Sequence, residues 1–260
     1  MSVMAPPDYV CQPFGAQTSR GYIRRRVYRR NAAGPSVILI HEAPGISEGT
    51  FKIANFLHPA GYSIALPELM RPVPFGPAKV RGATGMLRFC VARELGAFSS
   101  NRTGAIVEWL RDLAAAESAA DGGRNVAVIG MCFSGGFALG AMFEDKIVAA
   151  VASQPSLPFP IWFGRAVDLG VSPGDFDVIQ QRVAAGAGLR VMRYAKDWKS
   201  PVQRFQRFVD DFPSCSRQQI PTSRSRDHSV LRDSIDAAEG TDLADSRDLT
   251  LAFLRQHLPL

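Results

Sequence analysis

The sequence has few cysteines and no long apolar run, and each shortage excludes a class of protein. Its four cysteines, Cys11, Cys90, Cys132 and Cys215, are too scattered for a metal-ligand spacing or for the disulfide framework of a small secreted domain. No run of about 18 apolar residues occurs, so we expect no transmembrane helix. The N-terminal MSVMAPPDYVCQPF has no charged segment followed by an apolar core, so we expect no signal peptide. We therefore expect a cytoplasmic protein with free thiols, no metal and no membrane partner.

Positively charged residues are only slightly more numerous than negatively charged ones. Thirty lysines and arginines stand against 24 acidic residues, which gives a net charge of +6. The densest basic stretch, RGYIRRRVYRRNAAG at 20–34, mixes arginines with apolar and aromatic residues, a pattern that favours a solvated edge strand of a hairpin. No recognition motif accompanies it, so we expect no nucleic-acid partner.

Apolar runs and helical periodicity alternate along the chain. The 260 residues are 46% hydrophobic and 21% charged, an ordinary globular composition. Predicted buried strands cover residues 37–40, 63–69, 126–130, 147–156 and 189–197. Predicted helices cover residues 49–62, 103–123, 135–144, 200–212 and 245–258, the last with Leu249, Leu251, Phe253, Leu254 and Leu258 as inward-facing candidates. This alternation predicts an α/β protein with a mostly parallel central sheet and helices on both faces.

Two segments interrupt the alternation. Residues 70–86 are rich in proline and glycine and predict a long surface loop, which we take to extend over 70–102. Residues 157–187 contain Pro158, Pro160 and Pro173, which disrupt strand pairing. We expect a single domain over residues 1–260, in which 157–187 form a cap-like insertion near the site.

The stretch VAVIGMCFSGGFALG at 126–140 predicts a nucleophile at a sharp strand-to-helix turn. Such a turn needs small residues two positions before and two after the nucleophile, because bulky neighbours would collide with its strained backbone. Cys132 has Gly130 and Ser134 at those positions, whereas Ser134 has Cys132 and Gly136. Both residues fit, and a structural cysteine beside a glycine-rich packing turn is a third interpretation. The segment lacks the lysine of a P-loop and the G-x-G-x-x-G spacing, so we do not expect nucleotide binding.

A nucleophile of this kind needs a histidine and an acid, which follow it in the chain. His228 lies in a polar loop, while His257 lies at the end of an amphipathic helix, where solvation or capping is the simpler role. Asp197 ends a predicted strand at the carboxyl edge, where α/β sheets build their sites. The other acids considered are Asp168, Asp175 and Asp177 in the insertion and Asp227 beside the histidine.

Four stretches together resemble the dienelactone hydrolase family of α/β-hydrolases: GMCFSGGFAL, VILIHEAPGI, LRVMRYAKD and DHSVLR. The resemblance runs over roughly residues 36–258, and its specific parts are the elbow and the HE loop. The family nucleophile is a cysteine in G-x-C-x-G-G, which matches Gly130, Cys132 and Phe133, with Ser134 in place of the next glycine. The resemblance implies an α/β-hydrolase fold and favours Cys132 as the nucleophile.

The resemblance also implies roles for residues elsewhere in the chain. The family's aspartate and histidine correspond to Asp197 and His228. Its glutamate, which contacts the resting nucleophile, corresponds to Glu42, and its oxyanion-hole amides correspond to those of Ala43 and Phe133. A negative charge close to a thiol disfavours the thiolate, so we expect the glutamate to restrain the nucleophile until substrate displaces it.

These inferences predict a hydrolase that cleaves a small-molecule ester or lactone through an acyl-thioester on Cys132, with no metal or organic cofactor. A family arginine that holds a substrate carboxylate in some members corresponds to Arg232. Two alternatives stay open, a serine esterase that uses Ser134 and a catalytically idle scaffold that binds a small ligand.

Overall fold

The computed structural model describes residues 6–70, 102–158 and 166–260. Nearly all of the loop predicted at 70–102, and residues 159–165 of the predicted cap, lie outside the described residues. That the chain forms one domain with a cap over the site therefore stays a prediction.

The described residues form one eight-stranded sheet in the order β1-β2-β4-β3-β5-β6-β7-β8. The strands are β1 Val10–Thr18, β2 Gly21–Arg30, β3 Ser36–Ile40, β4 Ser63–Pro67, β5 Val126–Met131, β6 Ile147–Ser153, β7 Gly188–Tyr194 and β8 Ser216–Ile220. β1 and β2 pair antiparallel, as do β2 and β4, and the other neighbours are parallel. The α/β fold with a mostly parallel sheet is therefore confirmed.

Helices cover both faces of this sheet. They are α1 Glu48–Leu57, α2 Ala105–Ala120, α3 Gly135–Ala141, α4 Pro173–Ala184, α5 Val202–Asp211, α6 Val230–Ile235 and α7 Asp242–His257. Side chains of β3 alternate between the two faces, because successive residues of a strand point in opposite directions. Ile38 and Ile40 pack with residues of α2 to α5, whereas Val37 and Leu39 pack with residues of α1, α6 and α7.

Two local expectations are wrong. The basic stretch forms β2, which is not an edge strand, because β1 continues the sheet beyond it. Arg26 and Arg29 of this strand pair with the carboxylates of Glu68 and Glu117 at 2.8 and 2.6 Å. Leu249 is 48% exposed rather than inward-facing, because α7 turns a different face to the sheet.

No helix within the described ranges is both long enough and apolar enough to span a bilayer. Cys11, Cys132 and Cys215 are free cysteines, whereas Cys90 lies outside the described residues.

Candidate active site

Cys132 occupies a sharp turn between β5 and α3. Its φ is +58°, a left-handed value that non-glycine residues adopt at a cost and that surrounding structure must enforce. The turn leaves no room at Gly130, where an added Cβ would lie 2.0 Å from the Ser134 carbonyl oxygen. Gly135 is equally confined, since a Cβ there would lie 2.8 Å from Pro155 Cα. Close backbone contacts thus require glycine at both of these positions.

Ser134 faces the interior instead of the cleft. Its side chain has no exposed area, and its Oγ accepts a hydrogen bond from the Met131 amide at 2.8 Å. The carbonyl oxygens of Met131, Ile40 and His41 lie 2.9 to 3.3 Å from the same Oγ as acceptors. Every one of these partners is backbone, so the hydroxyl fastens the turn to the end of β3.

His228, which contacts Cys132, is hydrogen-bonded to Asp197. The Nδ1 atom of His228 lies 2.6 Å from Oδ2 of Asp197, and the Asp197 carboxylate is only 1% exposed. Its other oxygen accepts the Lys199 amide at 3.0 Å. The short Nδ1 contact places a proton on that nitrogen and leaves Nε2 to face the turn.

The charge state of His228 reflects these neighbours. Burial of the ring lowers its pKa, but the hydrogen bonds with the Asp197 carboxylate and the Cys132 sulfur, together with the electrostatic interaction of the ring with both groups, outweigh burial and raise the pKa to about 9. At neutral pH the ring is therefore largely an imidazolium beside the sulfur of Cys132.

The other acids considered and the other late histidine have different partners. Asp227 accepts a hydrogen bond from the Thr222 hydroxyl. Asp175 binds Arg111 at 2.7 Å, and Asp168 accepts the Gly170 amide. His257 packs against Gly188, the first residue of β7, at the end of that strand opposite Asp197.

Glu42, directly after β3, is buried and has two partners. Its Oε2 accepts the Ser229 hydroxyl at 2.7 Å, and its Oε1 binds Arg232 Nη1 at 2.6 Å. Arg232 also contacts Asp233 at 3.1 Å. The structure thus joins the glutamate to the arginine that family resemblance assigns to substrate, and the charge of each is compensated by the other.

A buried histidine holds the loop that carries Glu42 and Ala43. His41 Nδ1 donates to the Glu42 carbonyl at 2.9 Å, and Nε2 accepts the amides of Leu69 and Met70. Burial lowers the pKa of His41 to about 4, so the ring stays neutral and keeps both roles at physiological pH. Ala43 borders the cleft beside Cys132, while Phe133 follows the cysteine at the start of the helical turn.

These groups surround one cleft of about 520 Å³. Its lining residues are Glu42, Ala43, Pro44, Cys132, Lys199, Arg226, Asp227, His228, Ser229, Arg232 and Asp233. None of the described residues of the predicted cap segment borders it. Nor do three or more histidine, cysteine or acidic side chains converge as metal ligands anywhere in the described ranges.

Nothing in the sequence indicates that three polar residues support the site. Arg193 is buried and donates to the carbonyl oxygens of Ala195, Asp197 and Ser200 at 2.7 to 3.0 Å, which fixes the turn that presents Asp197. Ser156 lies 3.4 Å from His228, and Arg204 binds the backbone on either side of that serine. Polar residues predict exposure when only the sequence is known, so none of the three attracts attention there.

Comparisons with known proteins agree with the fold. A sequence model of the dienelactone hydrolase family matches residues 23–160. A dienelactone hydrolase from Anabaena variabilis superposes with a TM-score of 0.58 at 13% identity, covering 96% of this chain and 99% of its own. A dienelactone hydrolase-like promiscuous phosphotriesterase from metagenomic libraries gives 0.60 at 17% identity, covering 95% and 98%. Carboxyl esterase 2 from the fungus Tuber melanosporum gives 0.55 at 10% identity, covering 99% and 90%. At these identities the structures establish the fold, and no curated protein matches the chain at a significant level.

Proposed function

The chain belongs to the dienelactone hydrolase family of hydrolases acting on ester bonds, and we propose that it cleaves an ester or lactone through an acyl-thioester on Cys132. His228 is the proposed proton carrier, and Asp197 the group that orients it. The observation that carries the proposal is the left-handed turn at Cys132 in a cleft shared with a histidine that binds a buried aspartate at 2.6 Å.

In the proposed first step, the Cys132 thiolate attacks the carbonyl carbon of the substrate. The carbonyl oxygen becomes an oxyanion held by the backbone N–H groups of Ala43 and Phe133. When the intermediate collapses, its bond to the alcohol oxygen breaks and the Nε2 proton of His228 passes to that oxygen. The alcohol leaves, and the acyl group remains on sulfur as a thioester.

In the second step, water replaces the alcohol. His228, now neutral, takes one proton from water through Nε2, and the resulting hydroxide attacks the thioester carbon. The carbon–sulfur bond breaks, the acid product leaves and the thiolate–imidazolium pair is restored. Asp197 keeps Nδ1 protonated throughout, which leaves Nε2 as the atom that exchanges protons.

Alkylation and substitution together separate this proposal from the serine esterase. We expect Cys132→Ala to lower kcat on p-nitrophenyl acetate by about 10³-fold or more, as loss of a nucleophile does. Iodoacetamide should inactivate the protein, and a fluorophosphonate should not label it. An active Cys132→Ala beside an inactive Ser134→Ala would overturn the assignment, and no turnover of any short ester by the wild type would favour the idle scaffold.

We further propose that Arg232 takes a carboxylate of the substrate. The arginine borders the cleft, and in the free protein it is held by the Glu42 carboxylate at 2.6 Å. A substrate carboxylate offers the guanidinium the same kind of oxygen acceptor as Glu42 Oε1 and can replace it there. Glu42 would then lose this partner, which couples carboxylate binding to a change at another residue of the same cleft.

Two esters test the carboxylate proposal. Arg232→Gln should raise KM for the p-nitrophenyl monoester of succinate by about tenfold, because a charge-assisted contact is lost. The loss of kcat/KM should be smaller for neutral p-nitrophenyl acetate, because both esters are affected by the change at Glu42 but only the succinate monoester loses a carboxylate contact. Arg224→Gln is the matched control, since Arg224 is exposed in the same loop and outside the cleft lining. An equal loss on both esters would contradict a role in carboxylate binding.

A further inference from the structure

The segment that follows β6 touches both the turn at Cys132 and the ring of His228. The Ser156 amide donates to the Cys132 carbonyl oxygen at 2.9 Å, and the Ser156 hydroxyl lies 3.4 Å from His228 Nε2. Ser156 is only 1% exposed. One serine therefore contacts the backbone of the proposed nucleophile and the nitrogen that is proposed to give and take protons during the reaction.

The hydroxyl proton of Ser156 is already engaged in a hydrogen bond. Its Oγ donates to the Gln154 carbonyl oxygen at 3.0 Å, so toward the ring it presents lone pairs only. A hydroxyl in this state can accept a hydrogen bond from Nε2 only when Nε2 carries a proton. Because Nδ1 is bound to the Asp197 carboxylate, a protonated Nε2 means the imidazolium.

We propose that Ser156 is a positioning residue that aims Nε2 of His228 and favours its protonated form. This inference rests on the proposed function, since it concerns the proton that is given to the leaving alcohol. A hydrogen bond made only by one protonation state shifts the equilibrium toward that state. Ser156, in the segment after β6, thus contacts Nε2, the nitrogen that Asp197 leaves available to Cys132.

Arg204 fixes Ser156 from both sides along the chain. This buried arginine of α5 donates to the carbonyl oxygens of Pro155 at 3.0 Å and Pro158 at 2.5 Å. Its Nε donates to the Asp168 carbonyl oxygen at 2.8 Å. Three carbonyl oxygens held by one guanidinium leave the Ser156 backbone little freedom, so the hydroxyl stays directed at the ring.

Several charged groups border the cleft that contains the ring, whereas Ser156, which lies 3.4 Å from Nε2, is uncharged. Cys132 and Asp197 are in direct contact with it. The other titratable or charged groups that border the same cleft are Glu42, Lys199, Arg226, Asp227, Arg232 and Asp233. Replacing Ser156 leaves all of these charges in place, so a change in the ring's titration reports the loss of the hydroxyl.

The ring titration of His228 tests the inference without any turnover. The chain has four histidines, so ¹⁵N-histidine NMR can follow each ring, with His228→Gln to assign the signal. In Ser156→Ala we expect the titration midpoint of His228 to fall by about 0.5 to 1 pH unit, as loss of one long hydrogen bond to a charged group implies. We also expect kcat on p-nitrophenyl acetate to fall several-fold with KM nearly unchanged, and Ser156→Thr, which keeps a hydroxyl, to restore both.

Ser153→Ala is the matched control. Ser153 is a buried serine at the end of β6 whose hydroxyl binds the Gln154 side chain. A folded Ser156→Ala with an unchanged His228 midpoint, or an equal fall in Ser153→Ala, would overturn the inference. If Ser156→Ala does not fold, Ser156→Cys, with a much weaker acceptor, supplies the same comparison. Turnover by Cys132→Ala would refute the proposed function separately, because the ring titration does not depend on it.

Discussion

Gly130→Ala perturbs the turn at Cys132 by a single methyl group. The new Cβ would lie 2.0 Å from the Ser134 carbonyl oxygen and 2.7 Å from the Ser134 carbonyl carbon, whereas ordinary contacts begin at 3.4 Å. Both atoms belong to the backbone, so no side chain can rotate away. The turn must open by more than about 1 Å, a displacement that can cost about 10²-fold in rate when it moves a reacting group.

We therefore expect Gly130→Ala to lower kcat on p-nitrophenyl acetate by about 100-fold or more. Overpacking should also lower the free energy of unfolding by about 1–3 kcal/mol. Urea unfolding measures the second effect and identifies conditions in which the variant is folded for the kinetic assay. Gly174→Ala is the control, because nothing lies within 4 Å of its added Cβ. A folded Gly130→Ala with wild-type kcat would refute the argument that this close approach builds the turn.

Three further predictions concern the groups around the turn. Asp197→Asn should lower kcat by about 10³-fold or more by favouring the wrong ring tautomer, while Asp227→Asn, whose carboxylate binds Thr222, should stay within about threefold of wild type in the same assay. Ser134→Ala should keep most of its activity but lose about 1–3 kcal/mol in urea unfolding, because a buried backbone amide loses its acceptor. The pKa of His228 is raised in the folded state to about 9, so its stabilisation is complete below about pH 6.5 and lost as pH rises through 9. The difference in unfolding free energy between wild type and His228→Gln should accordingly shrink by about 2–3 kcal/mol between pH 6 and pH 9.5, and a difference that grows would contradict the assignment of its partners.

The sequence predicts the site best where local backbone geometry constrains residue type. Gly130 and the small residues after Cys132 indicate the turn, and the end of a buried strand points to Asp197. The choice between Cys132 and Ser134 is different, because it depends on which side chain faces the cleft. That direction follows from φ at residue 132 and from carbonyl groups of β3 about 90 residues earlier in the chain.

Buried polar residues account for much of what the sequence could not predict. The face of α7 toward the sheet includes Ser246 and Thr250, whose hydroxyls bind carbonyl groups one helical turn earlier. Hydrophobic periodicity treats such polar residues as outward-facing, so it predicts that Leu249 faces inward. Arg204 was equally unpredictable, because its partners are backbone carbonyls 36 to 49 residues away in the chain.

Trapping the acyl intermediate tests the central claim most directly. Wild-type protein would be mixed with p-nitrophenyl acetate, quenched in acid within one turnover, digested and mapped by mass spectrometry. We predict an acetyl group on the peptide that contains Cys132, labile to hydroxylamine at neutral pH as a thioester is, and its absence in Cys132→Ala. An acetyl group on Ser134 that survives hydroxylamine would contradict the account.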